Sequence, residues 1–485
     1  MSSANGTRAP APVARAPSSI PGLDTILHGG FLRAGLYMIQ GPPGAGKTVL
    51  ASQIIYNAAA NGAKALFVTV LGENHGRMMI HLRTMRFFDE SLMPEHVAYV
   101  SAYNALETDG LPGITTLIRR EVLARGSTML VLDGVSAIEA VLTSELDLKR
   151  FTHGLQTLAS ATDCTMFLLT TSESVTAPER TMVDGLIELK QRLYGARNER
   201  RLLVQKMRGS GFIEGEHAFR IDETGVTVFP RTEAAVRGSV PELPFGHAPV
   251  TTGVATLDTM LGGGIPAASV TAIVGPYGTG KTTLGLQFLS RSTADQPGLL
   301  FGCFEPPTRL RTKAAGLGFD LAGAEQRGVV TQLWYPVGEH ILDELATQLL
   351  DAVGRRGIRR LLIDGVYGFQ QAALEPERIV RFWSALTNEL RSLGVTTMHT
   401  LELPEFGQDH SLVPIGAVSS MAEVQVLLRS ETVTAGRRRL ISLVKVKDTN
   451  FDQVSRIYDI RDVGLVVLDG VADGPDDPAV ARAQA

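Results

Sequence analysis

The chain has 485 residues, of which 44% are hydrophobic and 20% charged, and its formal net charge is −4. These values are typical of a globular protein and exclude a chain drawn to nucleic acid by its overall charge. Because the length exceeds one hydrophobic core, we expect two domains of roughly 200 to 230 residues each. Two cysteines, Cys164 and Cys303, are too few for a disulfide framework and indicate a reducing compartment. No signal peptide and no apolar run of about 20 residues is evident, so we expect a cytoplasmic protein without membrane contact.

In chain order, residues 1–17 are dominated by small residues and proline, which predicts a disordered N-terminal arm. The stretch 471–485 has a similar composition and is predicted to be a disordered tail. Residues 233–249 contain several prolines and show no clear period, which is typical of a linker. The predicted domains are therefore residues 18–232 and 250–470.

An internal repeat relates these two domains. The run Leu23–Gly30 recurs as Leu257–Gly264, and Lys47 recurs as Lys281; both pairs share one offset, since 257 − 23 and 281 − 47 both equal 234. A single offset across a whole domain predicts two copies of one fold.

The repeat contains the motif G-x-x-x-x-G-K-[ST] twice, at Gly41–Thr48 and at Gly275–Thr282. Each copy follows an apolar, strand-like run and leads into a helical pattern, which is the context in which backbone N–H groups bind a nucleotide's phosphates. Pro42 and Pro43 lack an N–H group, so contacts in the first copy must come from later residues. The predicted nucleotide-binding residues are Gly44, Ala45, Gly46, Lys47 and Thr48, and Gly278, Thr279, Gly280, Lys281 and Thr282.

Each half continues with near-continuous apolar runs separated by helical segments. This pattern predicts parallel strands buried on both faces, hence an α/β domain whose ligand binds at the carboxyl ends of the strands. Later alternating segments, Leu202–Gln205 and Arg439–Val446, predict an antiparallel extension. Asp133 and Asp364 end apolar runs, where a carboxylate binds Mg²⁺ or polarises its water, together with the hydroxyls of Thr48 and Thr282.

Further candidate catalytic residues are carboxylates and cations. Glu305 follows the second predicted strand of its half directly, whereas Glu73 follows after Leu71-Gly72; either carboxylate could orient an attacking oxygen. Two cations on one face of a strand suit a terminal phosphate, and because that face lies far along the sheet, the nucleotide of a neighbouring subunit is the expected target. These pairs are Lys206 with Arg208 and Lys445 with Lys447.

The paired motifs, the run Lys206–Ser210 and its flanking Arg200-Arg201 and Phe229-Pro230 resemble the KaiC clock-protein family of ATPases over roughly residues 18–470. The resemblance implies two tandem RecA-like P-loop NTPase domains, each a mostly parallel sheet flanked by helices. It also implies Mg²⁺-dependent ATP binding at the subunit interfaces of a homohexamer, with Lys206 and Arg208 acting on the neighbour's nucleotide, and clock or signalling proteins as partners.

Departures from the family predict slow turnover. The family has two adjacent glutamates after the second strand of each domain, whereas this chain has Leu71-Gly72 and Phe304-Glu305. Lys447 stands where the family has Arg, and Lys cannot form a planar bidentate fork on phosphate. The family's second domain also phosphorylates its own hydroxyls, and the corresponding pair here is Ser419-Ser420, which implies a serine/threonine autokinase and a phosphoprotein.

Two alternatives remain open at this point. One is an ATP-gated assembly scaffold with little turnover, which Leu71-Gly72 favours for the first half. The other is a recombinase-like DNA-binding ATPase, suggested by basic clusters at residues 197–201, 355–360 and 437–439. The net charge gives that reading no independent support, so nucleic acid is not the expected partner.

Overall fold

The computed structural model describes residues 14–70, 75–141, 144–171, 182–236, 248–403, 421–433, 436–447 and 451–471. The chain divides into two compact units, with the boundary between Ala235 and Val236. Three of the predicted site residues, Glu73, Ser419 and Ser420, lie outside the described residues.

The first unit contains a two-stranded ladder and one large sheet. Its strands are β1 (Arg15–Ala16), β2 (Phe31–Leu32), β3 (Leu36–Gln40), β4 (Ala65–Thr69), β5 (Val97–Ser101), β6 (Met129–Asp133), β7 (Thr165–Thr170), β8 (Gly185–Tyr194), β9 (Arg197–Met207), β10 (Glu216–Asp222) and β11 (Gly225–Phe229). Its helices are Leu23–Ile26, Lys47–Ala60, His75–Leu82, Tyr103–Arg125, Val135–Val141, Glu145–Thr162 and Thr232–Ala235, with a 3₁₀ turn at Glu90–Leu92.

The second unit repeats this arrangement. Its strands are β12 (Val270–Gly275), β13 (Gly298–Gly302), β14 (Val330–Trp334), β15 (Arg360–Asp364), β16 (Thr396–Glu402), β17 (Val424–Val433), β18 (Gly436–Val446), β19 (Arg456–Arg461) and β20 (Gly464–Val471). Its helices are Ala255–Met260, Lys281–Leu289, Pro307–Ala315, Leu321–Gln326, Leu342–Arg356, Tyr367–Ala372 and Ile379–Ser392, with a 3₁₀ turn at Pro376–Arg378. In the parts of the chain that the structure describes, no helix combines the length and apolar character needed to cross a bilayer.

Strand order is the same in both units. The first large sheet runs β5-β4-β6-β7-β3-β8-β9-β10-β11, and the second runs β14-β13-β15-β16-β12-β17-β18-β19-β20. In the first sheet the six strands β5, β4, β6, β7, β3 and β8 pair in parallel with their neighbours. In the second sheet the six strands β14, β13, β15, β16, β12 and β17 do the same. The remaining three in each described sheet pair antiparallel. The predicted fold class, tandem mostly parallel α/β domains with antiparallel extensions, is confirmed.

Each sheet lies between two hydrophobic cores because successive side chains of a strand point to opposite faces. In β3, Tyr37 and Ile39 pack into one core and Leu36 and Met38 into the other. In β12, Ile273 faces one core, while its neighbours face the second. Burial on both faces explains why the central strands read as continuous apolar runs.

Sequence analysis missed the outer strands β5 and β14. In both, the first two residues are buried and the last three are at least partly exposed, so the apolar run is too short to stand out. An edge strand is covered less fully than a central one, and its pattern is correspondingly weaker.

The strand Arg15–Ala16 lies inside the stretch 1–17 that was predicted to be a disordered arm. It pairs antiparallel with Phe31–Leu32. The Arg15 guanidinium donates to the carbonyls of Leu27 at 3.1 Å and Gly30 at 2.8 Å, and to the Ser210 hydroxyl at 2.7 Å. These contacts are distant in sequence, which is why composition alone did not reveal them.

His399 is a fully buried, unused ionisable group in the second unit. It lies on β16 opposite Ala272 and meets the Trp383 ring edge-on, with the ring centroids 5.3 Å apart. Among the described residues, neither ring nitrogen has a hydrogen-bond partner. Burial lowers the pKa of His399 from 6.5 to about 3, so the side chain is neutral in the folded unit.

We expect the second unit to lose stability as pH falls below the unfolded pKa of 6.5. In that range the unfolded chain binds a proton at His399 and the folded unit does not, so the unfolding free energy falls by about 1.4 kcal/mol between about pH 7.5 and about pH 5.5. His399→Leu removes this contribution. Urea unfolding followed by tryptophan fluorescence measures it, because both tryptophans, Trp334 and Trp383, lie in this unit. Equal losses in the parent and the variant would contradict the expectation.

Candidate functional site

The first phosphate loop, Gly41–Thr48, joins β3 to the helix Lys47–Ala60. Gly41 must be glycine because a Cβ there would lie 2.3 Å from the carbonyl oxygen of Leu189 on β8. The Gln191 amide donates to the Gly44 carbonyl at 3.0 Å. The neighbouring strand β8 therefore supports the loop at two points.

The Lys47 ammonium folds back onto its own loop. It donates to the carbonyl of Gly41 at 2.6 Å and of Pro42 at 3.0 Å, and the side chain is buried. Burial lowers the pKa of Lys47, and the nearby Asp133 carboxylate acts in the opposite direction. The cation is thus already placed where the phosphates of a nucleotide would lie.

The second loop, Gly275–Thr282, has the same geometry. A Cβ on Gly275 would lie 2.3 Å from the Leu428 carbonyl oxygen on β17. Lys281 donates to the carbonyls of Gly275 and Pro276, both at 2.8 Å. The buried Tyr458 hydroxyl of β19 donates to the Thr279 carbonyl, which ties this loop to the antiparallel extension.

A threonine hydroxyl and a strand-ending aspartate meet in both units. Thr48 Oγ1 donates to Asp133 Oδ2 at 3.0 Å, and Thr282 Oγ1 donates to Asp364 Oδ1 at 3.2 Å. A hydroxyl beside a carboxylate is a set of hard oxygen ligands and fits Mg²⁺. No group of three or more His, Cys, Asp or Glu side chains within the described ranges is arranged to hold a metal ion by itself.

In the second unit Thr400 also bonds to the aspartate of the Thr282–Asp364 pair. Its hydroxyl donates to Asp364 Oδ1 at 2.9 Å and accepts from the Gly365 N–H at 2.8 Å. Burial raises the pKa of Asp364, while the two threonine hydroxyls and the charge of Lys313 act to lower it. Asp364 is therefore oriented by hydrogen bonds on one oxygen before any ligand arrives.

In the second unit these residues line a cavity of about 420 Å³. Its polar lining includes Lys281, Thr282, Glu305, Lys313, Asp364 and Thr400. Glu305 lines it three residues beyond the end of β13 at Gly302, not directly after the strand as predicted, and its Oε1 lies 3.2 Å from the Lys313 ammonium. The structure thus brings Glu305, Lys281, Thr282 and Asp364 together; Glu73, the candidate carboxylate of the first unit, lies outside the described residues.

Phe304 occupies the position before Glu305. Its ring packs against Gly365, where a Cβ would lie 2.5 Å from a ring carbon, and it stacks on Tyr367 with the ring centroids 6.1 Å apart. About half of each side chain is exposed. An aromatic wall thus stands beside the carboxylates of the second cavity.

The basic pairs lie near the amino ends of the parallel strands, whereas the phosphate loops lie at the carboxyl ends. The Arg208 N–H donates to the Asp184 carbonyl, and the Asp184 N–H to the carbonyl of Leu36, the first residue of β3. Lys447, Glu423 and Val270 repeat this chain of bonds in the second unit. Since β3 and β12 rise about 3.3 Å per residue, roughly 13 to 17 Å separate the two edges.

A β-bulge precedes each basic pair. The register shifts between Leu186 and Ile187 opposite β9, and between Gln425 and Val426 opposite β18. Burial and the charge of Arg208 lower the pKa of Lys206, while Asp184 acts in the opposite direction. Burial and Lys447 likewise lower the pKa of Lys445, opposed by Glu423. The two cations of each pair are therefore close enough to influence each other. Arg208 and Lys447 each lie one residue beyond the end of their strand, at Met207 and Val446, so the shared strand face stays a prediction.

Sequence reasoning missed Thr400, Lys313 and Tyr458. Thr400 could have been found, because it lies two residues before the end of β16, the strand next to the phosphate-loop strand. Lys313 and Tyr458 carry no comparable signal: one stands two helical turns beyond Glu305, and the other is 179 residues from its partner.

Two tandem α/β units, each with a phosphate loop and a strand-ending aspartate bonded to the loop's threonine, define a RecA-like P-loop NTPase. The family model for the KaiC ATPase matches residues 16–233 and again 250–471. The chain therefore belongs to the KaiC ATPase family.

Several relatives match across nearly the full chain. Circadian clock oscillator protein KaiC of Picosynechococcus sp. is 25% identical over 468 residues, 93% of this chain and 89% of the relative. The protein of that name from Prochlorococcus marinus is 23% identical over 490 residues, 98% and 96% of the two chains. Circadian clock oscillator protein KaiC 1 of Synechocystis sp. is 23% identical over 468 residues, 93% and 88%.

Proposed function

We propose that this protein is a slow, Mg²⁺-dependent ATPase that binds ATP in both units and assembles into a homohexamer with ATP between subunits. The observation that carries the proposal is the twofold occurrence of one constellation: a lysine on its phosphate loop beside a threonine–aspartate pair at 3.0 or 3.2 Å. P-loop NTPases use this constellation to hold the phosphates and the Mg²⁺ of a nucleotide.

Each residue has a defined part in the reaction. Thr48 and Asp133 in the first unit, and Thr282 and Asp364 in the second, would hold Mg²⁺, which would supply positive charge to neutralise the phosphates. Lys47 and Lys281 would exchange their loop carbonyls for phosphate oxygens. In hydrolysis the water oxygen bonds to the terminal phosphorus, the bond to the bridging oxygen breaks with its electron pair left on ADP, and Glu305 accepts the water's proton.

The basic pairs support assembly. Lys206 with Arg208 and Lys445 with Lys447 lie roughly 13 to 17 Å from the phosphate loop of their own sheet, farther than their side chains reach. We therefore assign them to the nucleotide of a neighbouring copy, as the family resemblance implies.

The two units are proposed to differ in rate. The second has Glu305 in its cavity, whereas the first has Leu71-Gly72 at the equivalent place. Orienting carboxylates are typically worth about 10² to 10⁴ in rate, so the second unit would carry most of the turnover. The replacement of the family's Arg by Lys447 keeps that turnover slow.

The biological role we propose is cytoplasmic signalling or timing with clock-type protein partners, because the matching relatives are named circadian clock oscillator proteins. DNA binding is less well supported. Arginines of all three basic clusters engage carboxylates, as in Arg201 with Glu199, Arg355 with Asp351 and Arg438 with Glu431.

Lys281→Ala is expected to remove most of the steady-state phosphate release, and Lys47→Ala a smaller part, because Glu305 lies in the cavity of the second unit whereas the first unit has Gly72 at the equivalent position. Mass measurement with and without Mg²⁺-ATP should show nucleotide-dependent hexamers of the parent. If neither change lowers turnover but ATP still drives assembly, the protein is a scaffold rather than an enzyme.

Mixing two inactive variants tests whether the cations act between copies. In a Lys47→Ala background, Lys281→Ala copies lack their own phosphate lysine, and Lys445→Ala copies lack the cation for a neighbour. Co-assembled, they should regain about a quarter of the turnover of the Lys47→Ala protein, since random order completes about a quarter of the second-unit sites. A mixture no more active than the average of the two variants would show that Lys445 acts within its own chain.

We also propose autokinase activity on Ser419 or Ser420. The serine oxygen would bond to the terminal phosphorus, ADP would leave with the bridging oxygen, and the hydroxyl proton would pass to a carboxylate of the donor site. Phosphate adds about 1.5 to 2 negative charges, beside a segment where Arg391 binds the Met421 carbonyl at 2.6 Å.

Labelled phosphate from γ-labelled ATP should enter the parent and the control Ser430→Ala equally, because Ser430 is an exposed strand residue. The double variant Ser419→Ala, Ser420→Ala should take up almost none. Uptake at the parental level by the double variant would show that the assignment to Ser419 and Ser420 is wrong.

A further inference from the structure

The helix Pro307–Ala315 directs two cations into the second nucleotide cavity. Arg309 and Lys313 are four residues apart, so they lie on one face of the helix, and both line the cavity together with Lys281 and Asp364. Glu305 comes just before this helix. The described cavity therefore receives three cations from its own chain, of which the phosphate-loop motif accounts for one.

Lys313 and Glu305 form an ion pair across this cavity. The ammonium lies 3.2 Å from Glu305 Oε1, while the second oxygen, Oε2, is buried without a hydrogen-bond partner among the described residues. The two side chains are 34% and 30% exposed. An ion pair that is partly exposed is typically worth only about 0 to 1 kcal/mol, so a stronger anion can displace the carboxylate.

The charge of Lys313 also acts on the core of the site. It lowers the pKa of Asp364 and of Lys281, although burial is the largest influence on both. The ammonium is thus within electrostatic range of the aspartate that would hold the metal and of the lysine that would hold the phosphates.

The first unit lacks this arrangement. The strands β4 and β13 are offset by 298 − 65 = 233 residues. By this offset Ile80 is the position equivalent to Lys313, and Gly76 is the position equivalent to Arg309. Ile80 is 61% exposed and carries no charge. A mechanism that uses Lys313 therefore belongs to the second unit.

We propose that Lys313 is a positioning residue that senses the terminal phosphate: in the resting site it holds Glu305, and when a triphosphate binds it moves to the terminal phosphate and releases Glu305. The released carboxylate then orients the attacking oxygen. ADP has no terminal phosphate, so with ADP bound the ion pair persists. This inference rests on the ATPase activity proposed above.

The test compares affinities for Mg²⁺-ADP and for a non-hydrolysable Mg²⁺-ATP analogue, in a Lys47→Ala background so that bound nucleotide reports the second unit. Lys313→Met should weaken binding of the triphosphate by about tenfold, as expected for a lost hydrogen bond to a charged group, and change ADP binding by less than about twofold. In steady state KM for ATP should rise by a similar factor while kcat changes less, because slow chemistry makes KM report dissociation. Lys313→Arg should retain most of the discrimination.

Arg311→Met is the matched control. Arg311 lies on the same helix and pairs with Glu325 at 2.6 Å, but it does not line the cavity, so its removal should leave both affinities unchanged. If Lys313→Met does not fold by tryptophan-monitored unfolding, Lys313→Gln replaces it in the same comparison.

Two results would overturn the inference in distinguishable ways. If Lys313→Met changes the affinities for ADP and for the ATP analogue equally, or changes neither, Lys313 does not sense the terminal phosphate. The proposed function still stands in that case if Lys281→Ala abolishes nucleotide binding. Absence of nucleotide binding by the parent second unit would refute the proposed function and this inference with it.

Discussion

The parallel alignment of strands is the constraint on which both sites depend. Because the strands around β3 and β12 run in one direction, the phosphate loop and the strand-ending aspartate emerge at the same edge of each sheet. Residues separated by more than 80 positions then meet within hydrogen-bond distance. Glycines Gly41 and Gly275 keep each loop against the adjacent strand, since any side chain there would strike a backbone carbonyl.

The same alignment separates the basic pairs from the nucleotide of their own sheet. β9 and β18 return antiparallel, so their last residues lie at the amino edge of the parallel strands. Under the proposed assignment of the basic pairs to a neighbouring copy, each nucleotide site would be completed by the amino-end residues of another chain. In that proposal nucleotide binding and assembly are coupled.

The two units have one backbone plan but different chemistry around it. Both have the lysine, the threonine and the aspartate, and both bury the lysine enough to lower its pKa. Only around the second loop, within the described residues, do Phe304, Glu305 and Lys313 add an aromatic wall and an ion pair. These differences around a shared phosphate loop are the basis for the difference in rate proposed for the two units.

The sequence by itself determined the features that are encoded locally. The phosphate loops, the aspartates that end apolar runs, the internal repeat and the α/β class all follow from short motifs and from periodicity, because strands buried on both faces must be apolar throughout. Tertiary structure alone decided which of these residues meet. Three contacts show this: the bond from Thr400 to Asp364, the bond from Tyr458 to the second loop, and the pairing of the strand at Arg15. They join segments whose separation in sequence has no fixed period. Such contacts depend on strand order and register, which long-range packing sets and which no local pattern records.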